Sequence, residues 1–307
     1  MAEKERFETL PEYTFARLRN LLKDIPIGPN PVYMSIGEPQ HSFPSFIKEA
    51  IYSNSEKFNN YPSNDGVEML RHSICNWISN RYKIPKPDHE KNIMVLNGTR
   101  EGLFNATIAL TPETKNKKTP VILIPNPFYQ CYFAASLAAR AEPVFVPANE
   151  ESGFLPNYTS LPSEILNRTT LVFICSPSNP QGAIASKSYW RSLINLAERY
   201  DFTVLADECY SEIYRESKPP GILEVVDEEN ANPERVLIFN SLSKRSNLPG
   251  LRSGFVAGGQ SSVNKIKLLK SYGGAPVPNP IQIASAMAWN DELHVQKNLL
   301  LYQEKYK

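Results

Sequence analysis

Seven short apolar runs within residues 92–260 constrain the fold of this 307-residue chain more than any other feature. The runs cover residues 92–96, 121–124, 143–146, 171–175, 202–206, 236–239 and 254–257. Stretches with helical spacing of apolar residues accompany them at 101–110, 186–200, 262–271 and 281–290. Continuous apolar strands that alternate with helices are typical of a mostly parallel sheet covered on both faces. The sequence therefore predicts an α/β fold with a mostly parallel, seven-stranded sheet between helices.

The two ends of the chain differ from this alternating region. Residues 1–40 contain the proline-rich run 25–31 and are predicted to form an arm that crosses the surface, with part of a small domain. Residues 41–290 are predicted to form the large domain. Residues 286–307 have helical spacing but stop abruptly, without an evident cap or packing partner. We therefore expect residues 291–307 to begin a C-terminal small domain that is truncated.

Charge and hydropathy argue against two classes of partner. The formal net charge is +1, and the basic residues are spread along the chain without a basic stripe, so nucleic acid is not an expected partner. The first six residues are largely charged, and no run of about 18 apolar residues follows. We therefore expect a cytoplasmic protein that does not bind membranes.

Cysteine and histidine are scattered along the sequence. The cysteines lie at positions 75, 131, 175 and 209, and the histidines at positions 41, 72, 89 and 294. Neither set has the spacing of a zinc site or of a Cys-x-x-Cys pair. We expect buried, reduced thiols and no metal site.

The run from Ser241 to Arg252 combines groups that could anchor a cofactor. A buried Lys244 amine could form a Schiff base with an aldehyde. The hydroxyls of Ser241 and Ser243 and the Arg252 guanidinium are donors that suit a phosphate dianion. Pyridoxal 5′-phosphate (PLP) carries both an aldehyde and a phosphate. A solvated basic turn after a strand is the alternative interpretation of this run alone.

An acidic residue follows the apolar run 202–206. Asp207 then stands at the carboxyl end of a predicted parallel strand, which is the edge where α/β sheets bind ligands. Its carboxylate could keep the pyridine nitrogen of PLP protonated, and Tyr210 could reach the ring hydroxyl. Alternatively, Asp207 interacts only with a helix dipole.

Two other predicted strand ends carry polar residues. A rigid turn after residue 175 would project the Asn179 amide into the cleft, and Gly98, Thr99 and Arg100 open a helix whose backbone donors suit a phosphate. Alone, these are a common turn and a weak glycine signal, and Tyr129 is by default a core aromatic. Dinucleotide-binding and P-loop motifs do not occur in the sequence.

Taken in order, these residues resemble the fold-type I, class I/II aminotransferases, which use PLP. The likeness covers nearly the whole chain and includes residues 36–39, Tyr61, Gly66 and residues 70–71. It implies that Lys244 is the Schiff-base lysine and proton shuttle, and that Asp207 pairs with the ring nitrogen. The other implied roles are ring oxygen contacts for Asn179 and Tyr210, ring stacking for Tyr129, substrate binding for Gly37 and Asn179, and phosphate binding for Gly98, Thr99, Arg100, Ser241, Ser243 and Arg252. Tyr61 is implied to reach the phosphate from a second subunit, which makes the expected assembly a homodimer.

A closer likeness is to the N-succinyldiaminopimelate aminotransferases of bacterial lysine biosynthesis. It rests on residues 241–258 and 288–295, with support from residues 15–22. The reaction that this likeness implies is amino transfer between glutamate and N-succinyl-2-amino-6-oxopimelate.

The chain departs from the family's pattern at its end. Family chains continue further and supply there the arginine that clamps the substrate carboxylate, for which no residue can be assigned here; we expect a fragment with impaired glutamate turnover. Aminotransferases of the aspartate or LL-diaminopimelate type and PLP-dependent carbon-sulfur lyases stay open as alternatives. A non-catalytic PLP-binding regulatory module is less favoured, because about forty residues before the main sheet are few for a DNA-binding domain.

Overall fold

The protein is described by a computed structural model that covers residues 7–307. Within this range all seven predicted strands are present and belong to one sheet. They are β1 (Ile93–Leu96), β2 (Val121–Asn126), β3 (Glu142–Pro147), β4 (Thr169–Cys175), β5 (Thr203–Asp207), β6 (Val236–Ser241) and β7 (Gly254–Gly258).

The strand order across the sheet is β1-β7-β6-β5-β4-β2-β3. Neighbouring strands from β3 to β6 are parallel, whereas β7 runs antiparallel to both β6 and β1. The prediction of a mostly parallel α/β sheet is therefore confirmed. Because β1 points the same way as β6, its carboxyl end lies at the same edge of the sheet as those of β4 and β5.

Twelve α-helices occur within the described range. They are α1 (Thr14–Leu22), α2 (Phe46–Tyr52), α3 (Glu68–Tyr82), α4 (Thr99–Leu110), α5 (Gln130–Ala138), α6 (Ser163–Leu166), α7 (Lys187–Tyr200), α8 (Ile222–Glu228), α9 (Leu242–Arg245), α10 (Gln260–Gly273), α11 (Asn279–Asn290) and α12 (Leu293–Lys305). The four predicted helical stretches correspond to α4, α7, α10 and α11. In α7 the Ser186 hydroxyl accepts a hydrogen bond from the Tyr189 amide, which caps the first turn.

Successive side chains of a strand point to opposite faces, so each strand contributes to two cores. In β2, Val121 and Leu123 lie in the core on one face, and Ile122 and Ile124 lie in the core on the other. The first core includes residues of α2, α3, α7, α8 and α11, and the second includes residues of α4, α5 and α10. In this three-layer arrangement, helices cover both faces of the sheet, so the open edge of the sheet lies at the strand ends.

The two ends of the described chain are held differently. Helix α1 buries none of its residues. The expected continuous helix over 286–307 is interrupted at Asp291, whose extended backbone (φ −102°, ψ 110°) ends α11. The Asp291 carboxylate accepts the Leu293 amide at 3.0 Å, where the next helix, α12, begins. Helix α12 also has a packing partner that the sequence did not reveal. The Asn298 side-chain oxygen lies 2.8 Å from His41 Nδ1 and accepts a hydrogen bond from Asn247 at 3.0 Å.

No helix within residues 7–307 combines the length and the apolar character that a bilayer span requires.

Candidate active site

A cavity of about 1010 Å³ lies at the carboxyl ends of the central strands. Cys175, Asp207 and Ser241 are the last residues of β4, β5 and β6, and all three line it. The arm supplies the opposite wall through Phe15 and residues 34–38. The cavity thus occupies the sheet edge at which open α/β folds bind ligands.

The Asp207 carboxylate is buried in the floor of this cavity. Its Oδ2 accepts a hydrogen bond from the Tyr132 hydroxyl at 3.1 Å, and its Oδ1 accepts one from the Cys209 amide at 3.3 Å. Burial raises the pKa of Asp207 above its ordinary value, while the hydrogen bonds from Cys209 and Tyr132 oppose the shift. A positively charged or proton-donating group of a ligand would therefore stabilise the ionised carboxylate.

Lys244 lies on the four-residue helix α9, directly after β6. Its ammonium donates a hydrogen bond to the Gly37 carbonyl of the arm and lies 6.0 Å from the centre of the Tyr210 ring. Burial lowers the pKa of Lys244 below its ordinary value, and the charges of Cys209 and Glu38 oppose the shift. A lowered pKa increases the fraction of neutral amine, which is the nucleophilic form and the form that can accept a proton.

Hydroxyl groups cluster beside Lys244. The Ser241 hydroxyl accepts a hydrogen bond from the Ser243 amide at 3.3 Å. The Cys209 thiol lies 3.7 Å from the Ser241 hydroxyl and 3.4 Å from that of Thr99. The geometry thus gathers Thr99, which follows β1, and Ser241 and Ser243, which end and follow β6, onto one wall.

The Arg252 guanidinium is held against the start of α4. It donates to the carbonyls of Pro249 at 2.9 Å and Asn97 at 3.0 Å. Gly98 has a φ of +82°, and a Cβ at this position would lie 2.2 Å from Arg252 Nη2. Gly98 is not among the residues that line the cavity. Its missing side chain lets the guanidinium approach the helix N-terminus, where both can face an anion.

Two further pairs of predicted residues line the cavity, and the members of each pair are hydrogen-bonded to each other. The Asn179 amide donates to the Tyr210 hydroxyl at 3.3 Å. Arg100 Nε donates to the Tyr129 hydroxyl, with the guanidinium carbon 5.5 Å from the centre of the Tyr129 ring. Burial raises the pKa values of both tyrosines, so they stay neutral donors at physiological pH.

Tyr61 is a predicted site residue that contributes to none of these walls. Its side chain is fully exposed and does not line the cavity.

Sequence reasoning missed Tyr132 and Cys209. Tyr132 is buried on α5, stacks on Phe173 with ring centres 4.2 Å apart, and makes the contact with Asp207 described above. Tyr132 follows Tyr129 by three residues, a spacing that places two side chains on the same side of a helical turn. This spacing could have indicated that Tyr132 belongs to the site. Cys209 was classed only as a buried thiol, although it links Asp207, Thr99 and Ser241.

Comparison with known proteins shows what the chain is similar to. Residues 29–307 match the family described as aminotransferase class I and II. LL-diaminopimelate aminotransferase from Desulforudis audaxviator is 32% identical over 308 residues, which cover 99% of this chain and 76% of that protein. The LL-diaminopimelate aminotransferase of Aquifex aeolicus is 29% identical, with 99% of this chain and 77% of that protein covered.

Solved structures show the same similarity. An aminotransferase from Neisseria meningitidis superposes with a TM-score of 0.92 at 37% identity, covering 99% of this chain and 77% of that one. The aminotransferase AspB from Helicobacter pylori gives a TM-score of 0.87 at 36% identity, with the same shares covered.

Proposed function

Because the chain belongs to the class I and II aminotransferases, which use PLP, we propose that its cavity binds PLP and transfers an amino group between glutamate and a keto acid of the diaminopimelate type. The single observation that carries the proposal is the meeting of Lys244, Asp207 and Arg252 in one cavity. The amine, the buried carboxylate and the guanidinium match three groups of PLP, which are its aldehyde, its ring nitrogen and its phosphate.

The residues of this chain fit the cofactor. Among residues 7–307, no cation forms an ion pair with the buried Asp207 carboxylate, so a protonated ring nitrogen would supply the missing partner. The hydroxyls of Thr99, Ser241 and Ser243, together with Arg252, form a donor set that suits a phosphate dianion. A residue larger than glycine at position 98 would collide with Arg252 and displace it from this donor set.

Each residue then has a task in amino transfer. Bound PLP supplies an aldehyde that accepts an amine and a ring that withdraws electrons from the α-carbon of an amino acid. Lys244 would hold the aldehyde in the resting enzyme and, once displaced by the substrate amine, remove the proton from the substrate α-carbon. Asp207 would keep the ring nitrogen protonated, and Tyr132 would orient Asp207. Asn179 and Tyr210 would donate to the ring oxygen, and Tyr129 would cover the ring face.

For the acceptor, two related substrates have support. N-succinyl-2-amino-6-oxopimelate is implied by the sequence likeness over residues 241–258 and 288–295. LL-diaminopimelate appears in the names of the curated relatives. The succinylated acceptor carries three carboxylates and LL-diaminopimelate carries two. Apart from Arg252, which is assigned to the phosphate, Arg100 is the guanidinium that lines the cavity in the described chain. We take the succinylated keto acid as the first candidate acceptor, and as the second the keto acid whose amination gives LL-diaminopimelate.

The test is a set of single-turnover reactions with the PLP-loaded chain. The PLP-loaded chain is mixed separately with four amino acids: glutamate, N-succinyl-LL-diaminopimelate, LL-diaminopimelate and aspartate. The measured quantity is the loss of the visible absorbance of the lysine-bound cofactor. We expect conversion by glutamate and by one of the two diaminopimelates. Conversion by aspartate alone, or release of pyruvate from cystathionine without conversion by glutamate, would contradict the proposal and favour an aspartate-type transaminase or a carbon-sulfur lyase.

We further propose that the working unit is a cytoplasmic homodimer. Tyr61 is fully exposed and several apolar residues of the arm are largely exposed, so a second subunit could cover both. In this arrangement Tyr61 would donate to the phosphate in the partner's cavity. The division into an arm (1–40), a large domain (41–290) and the start of a small domain (291–307) also stays a prediction.

A further inference from the structure

Two of the four histidines converge in space, although the sequence predicted no metal site. His72 Nε2 lies 3.3 Å from the Glu68 carboxylate, and His89 Nε2 lies 3.8 Å from the same oxygen. The two imidazole rings stack with centres 3.8 Å apart. All three donor atoms lie within 4.8 Å of one another. None of the three residues lines the cavity of the candidate active site.

Local structure explains why these side chains meet. Glu68 and His72 are four residues apart on α3 and therefore share one face of that helix. His89 comes from the connection between α3 and β1. Its turn is fixed by Asp88, whose carboxylate accepts the backbone amides of Glu90 at 2.8 Å and Lys91 at 3.3 Å.

The spacing of the donors suits a bound transition-metal ion. Zinc binds imidazole nitrogen and carboxylate oxygen at about 2.0–2.2 Å in tetrahedral geometry, which places two ligand atoms roughly 3.3 Å apart. The separation of His72 from Glu68 already has this value, and that of His89 exceeds it by half an ångström. The two imidazoles are stacked with an interplanar angle of 27°, so the rings would have to tilt apart for both nitrogens to face one ion together with the Glu68 carboxylate.

We propose that Glu68, His72 and His89 form a zinc-class metal site. Two imidazoles favour zinc and neighbouring transition metals over magnesium or calcium, which prefer oxygen ligands. The side chains of Glu68, His72 and His89 are 71%, 39% and 24% exposed, so an ion can enter and water can fill the remaining coordination position. The bound ion would join the first turn of α3 to the connection that precedes β1.

A purely electrostatic role is the competing explanation. Glu68 is the first residue of α3, where a carboxylate interacts favourably with the helix dipole, and it could attract two histidines without any metal. The histidines therefore give the sharper test, because replacing them leaves Glu68 and the helix start unchanged.

The experiment measures zinc binding to the PLP-loaded full chain by equilibrium dialysis and calorimetry. We expect one zinc ion per wild-type chain. The double variant His72→Gln/His89→Gln should lose this affinity by more than the roughly 10–100-fold that changes around a metal site usually cause. His41→Gln is the matched control, because it removes a histidine outside the cluster, and it should bind zinc as the wild type does. Zinc should raise the melting temperature of the wild type and of His41→Gln but not that of the double variant.

Cobalt tests whether thiols are the ligands instead. The chain has free cysteines, and Cys75 lies one turn beyond His72 on the buried side of α3. We expect ligand-field absorption of bound Co²⁺ without a thiolate charge-transfer band, and its loss in the double variant. Absence of zinc binding, binding that persists in the double variant, or a cobalt-thiolate band would each overturn the proposal.

Discussion

The two walls of the cavity are built in different ways. The wall at the strand ends is buried, with Asp207 and Ser241 only 7% and 1% exposed. The wall formed by the arm is open, and its Met34 and Ile36 are 87% and 56% exposed. The comparison suggests that the groups for chemistry are fixed by the sheet of this chain, whereas the arm depends on other contacts for its position.

A buried polar network behind the strand ends accounts for their rigidity. The Asn240 amide donates to the Glu208 carbonyl at 3.0 Å and to the Ser211 hydroxyl at 3.1 Å. The Glu208 carboxylate accepts the Ile222 amide at 3.0 Å and the Tyr82 hydroxyl. Because buried polar groups are costly to leave unpaired, this network resists displacement of the residues after β5 and β6. The arm has no comparable network among the described residues.

The largest expected effect separates two adjacent residues of α9, of which Lys244 lines the cavity and Arg245 does not. Lys244→Ala should reduce the single-turnover rate with glutamate by at least about 10⁴-fold, because it removes the proposed proton carrier, while the unfolding free energy changes little. Arg245→Met should instead change the rate little and lower the unfolding free energy. Arg245 is buried and donates to the Ala288 carbonyl at 2.7 Å, so its loss should destabilise the fold by about 1–3 kcal/mol. Stopped-flow rates and urea unfolding measure the two effects, and a similar rate loss in both variants would contradict the distinction.

The next effect concerns the carboxylate in the cavity floor. Asp207→Asn should lower the same rate by about 10³-fold, because a neutral amide cannot hold the ring nitrogen protonated. Tyr132→Phe removes only one hydrogen bond to that carboxylate and should cost about 10-fold. Both rates are measured at saturating PLP. Equal rate losses in the two variants would mean that Tyr132, and not the charge of Asp207, carries the effect.

The polar network should also make stability depend on pH through Glu208. Burial raises the pKa of Glu208 from 4.5 to about 7. The folded state therefore retains a proton that the unfolded state loses, so this contribution is complete below pH 4.5 and disappears as pH rises through 7. The loss of unfolding free energy between pH 4.5 and pH 7 that this protonation of Glu208 causes amounts to about 3 kcal/mol.

Glu208→Gln isolates this contribution, because the amide keeps the shape and stays neutral. Urea unfolding of both proteins at pH 5, 6, 7 and 8 should show the wild type losing stability relative to the variant as pH rises. Parallel stability curves for the two proteins would contradict the assignment.

A smaller effect is expected at the proposed subunit interface. Tyr61→Phe should weaken PLP binding about 10-fold, the worth of one hydrogen bond to a charged group, with no change in the unfolding free energy of the single chain. PLP titration combined with sedimentation measures affinity and association together. A monomeric chain that binds PLP fully, with or without the Tyr61 hydroxyl, would remove this residue from the site.

The smallest effect on stability is expected in the arm. Ile36→Ala should change the unfolding free energy by less than about 0.5 kcal/mol, because the side chain is largely exposed. Ile238→Ala in the centre of β6 is the matched substitution in the rigid region and should cost about 2–5 kcal/mol. Urea unfolding of the two variants gives the comparison directly. A large loss of stability in Ile36→Ala would show that the arm is held by this chain after all.

The sequence predicted the residues at the strand ends better than the contacts that depend on how the helices pack. Apolar runs and the polar residues after them locate the strands and the strand-end wall, because parallel strands bring their carboxyl ends to one edge. The contact of Tyr132 with Asp207 and the meeting of His72 with His89 depend on how helices pack, which spacing alone does not determine. The break before α12 was missed because Asp291, whose extended backbone ends α11, lies within an otherwise helical sequence pattern.

The central claim is that Lys244, at the end of β6, is the lysine that holds PLP. Borohydride reduction of the PLP-loaded chain, followed by proteolysis and mass spectrometry, tests it most directly. We predict one pyridoxyl group per chain, located on Lys244, and none after reduction of Lys244→Ala. A label on a different lysine of the wild type, or unchanged labelling of the variant, would contradict the claim.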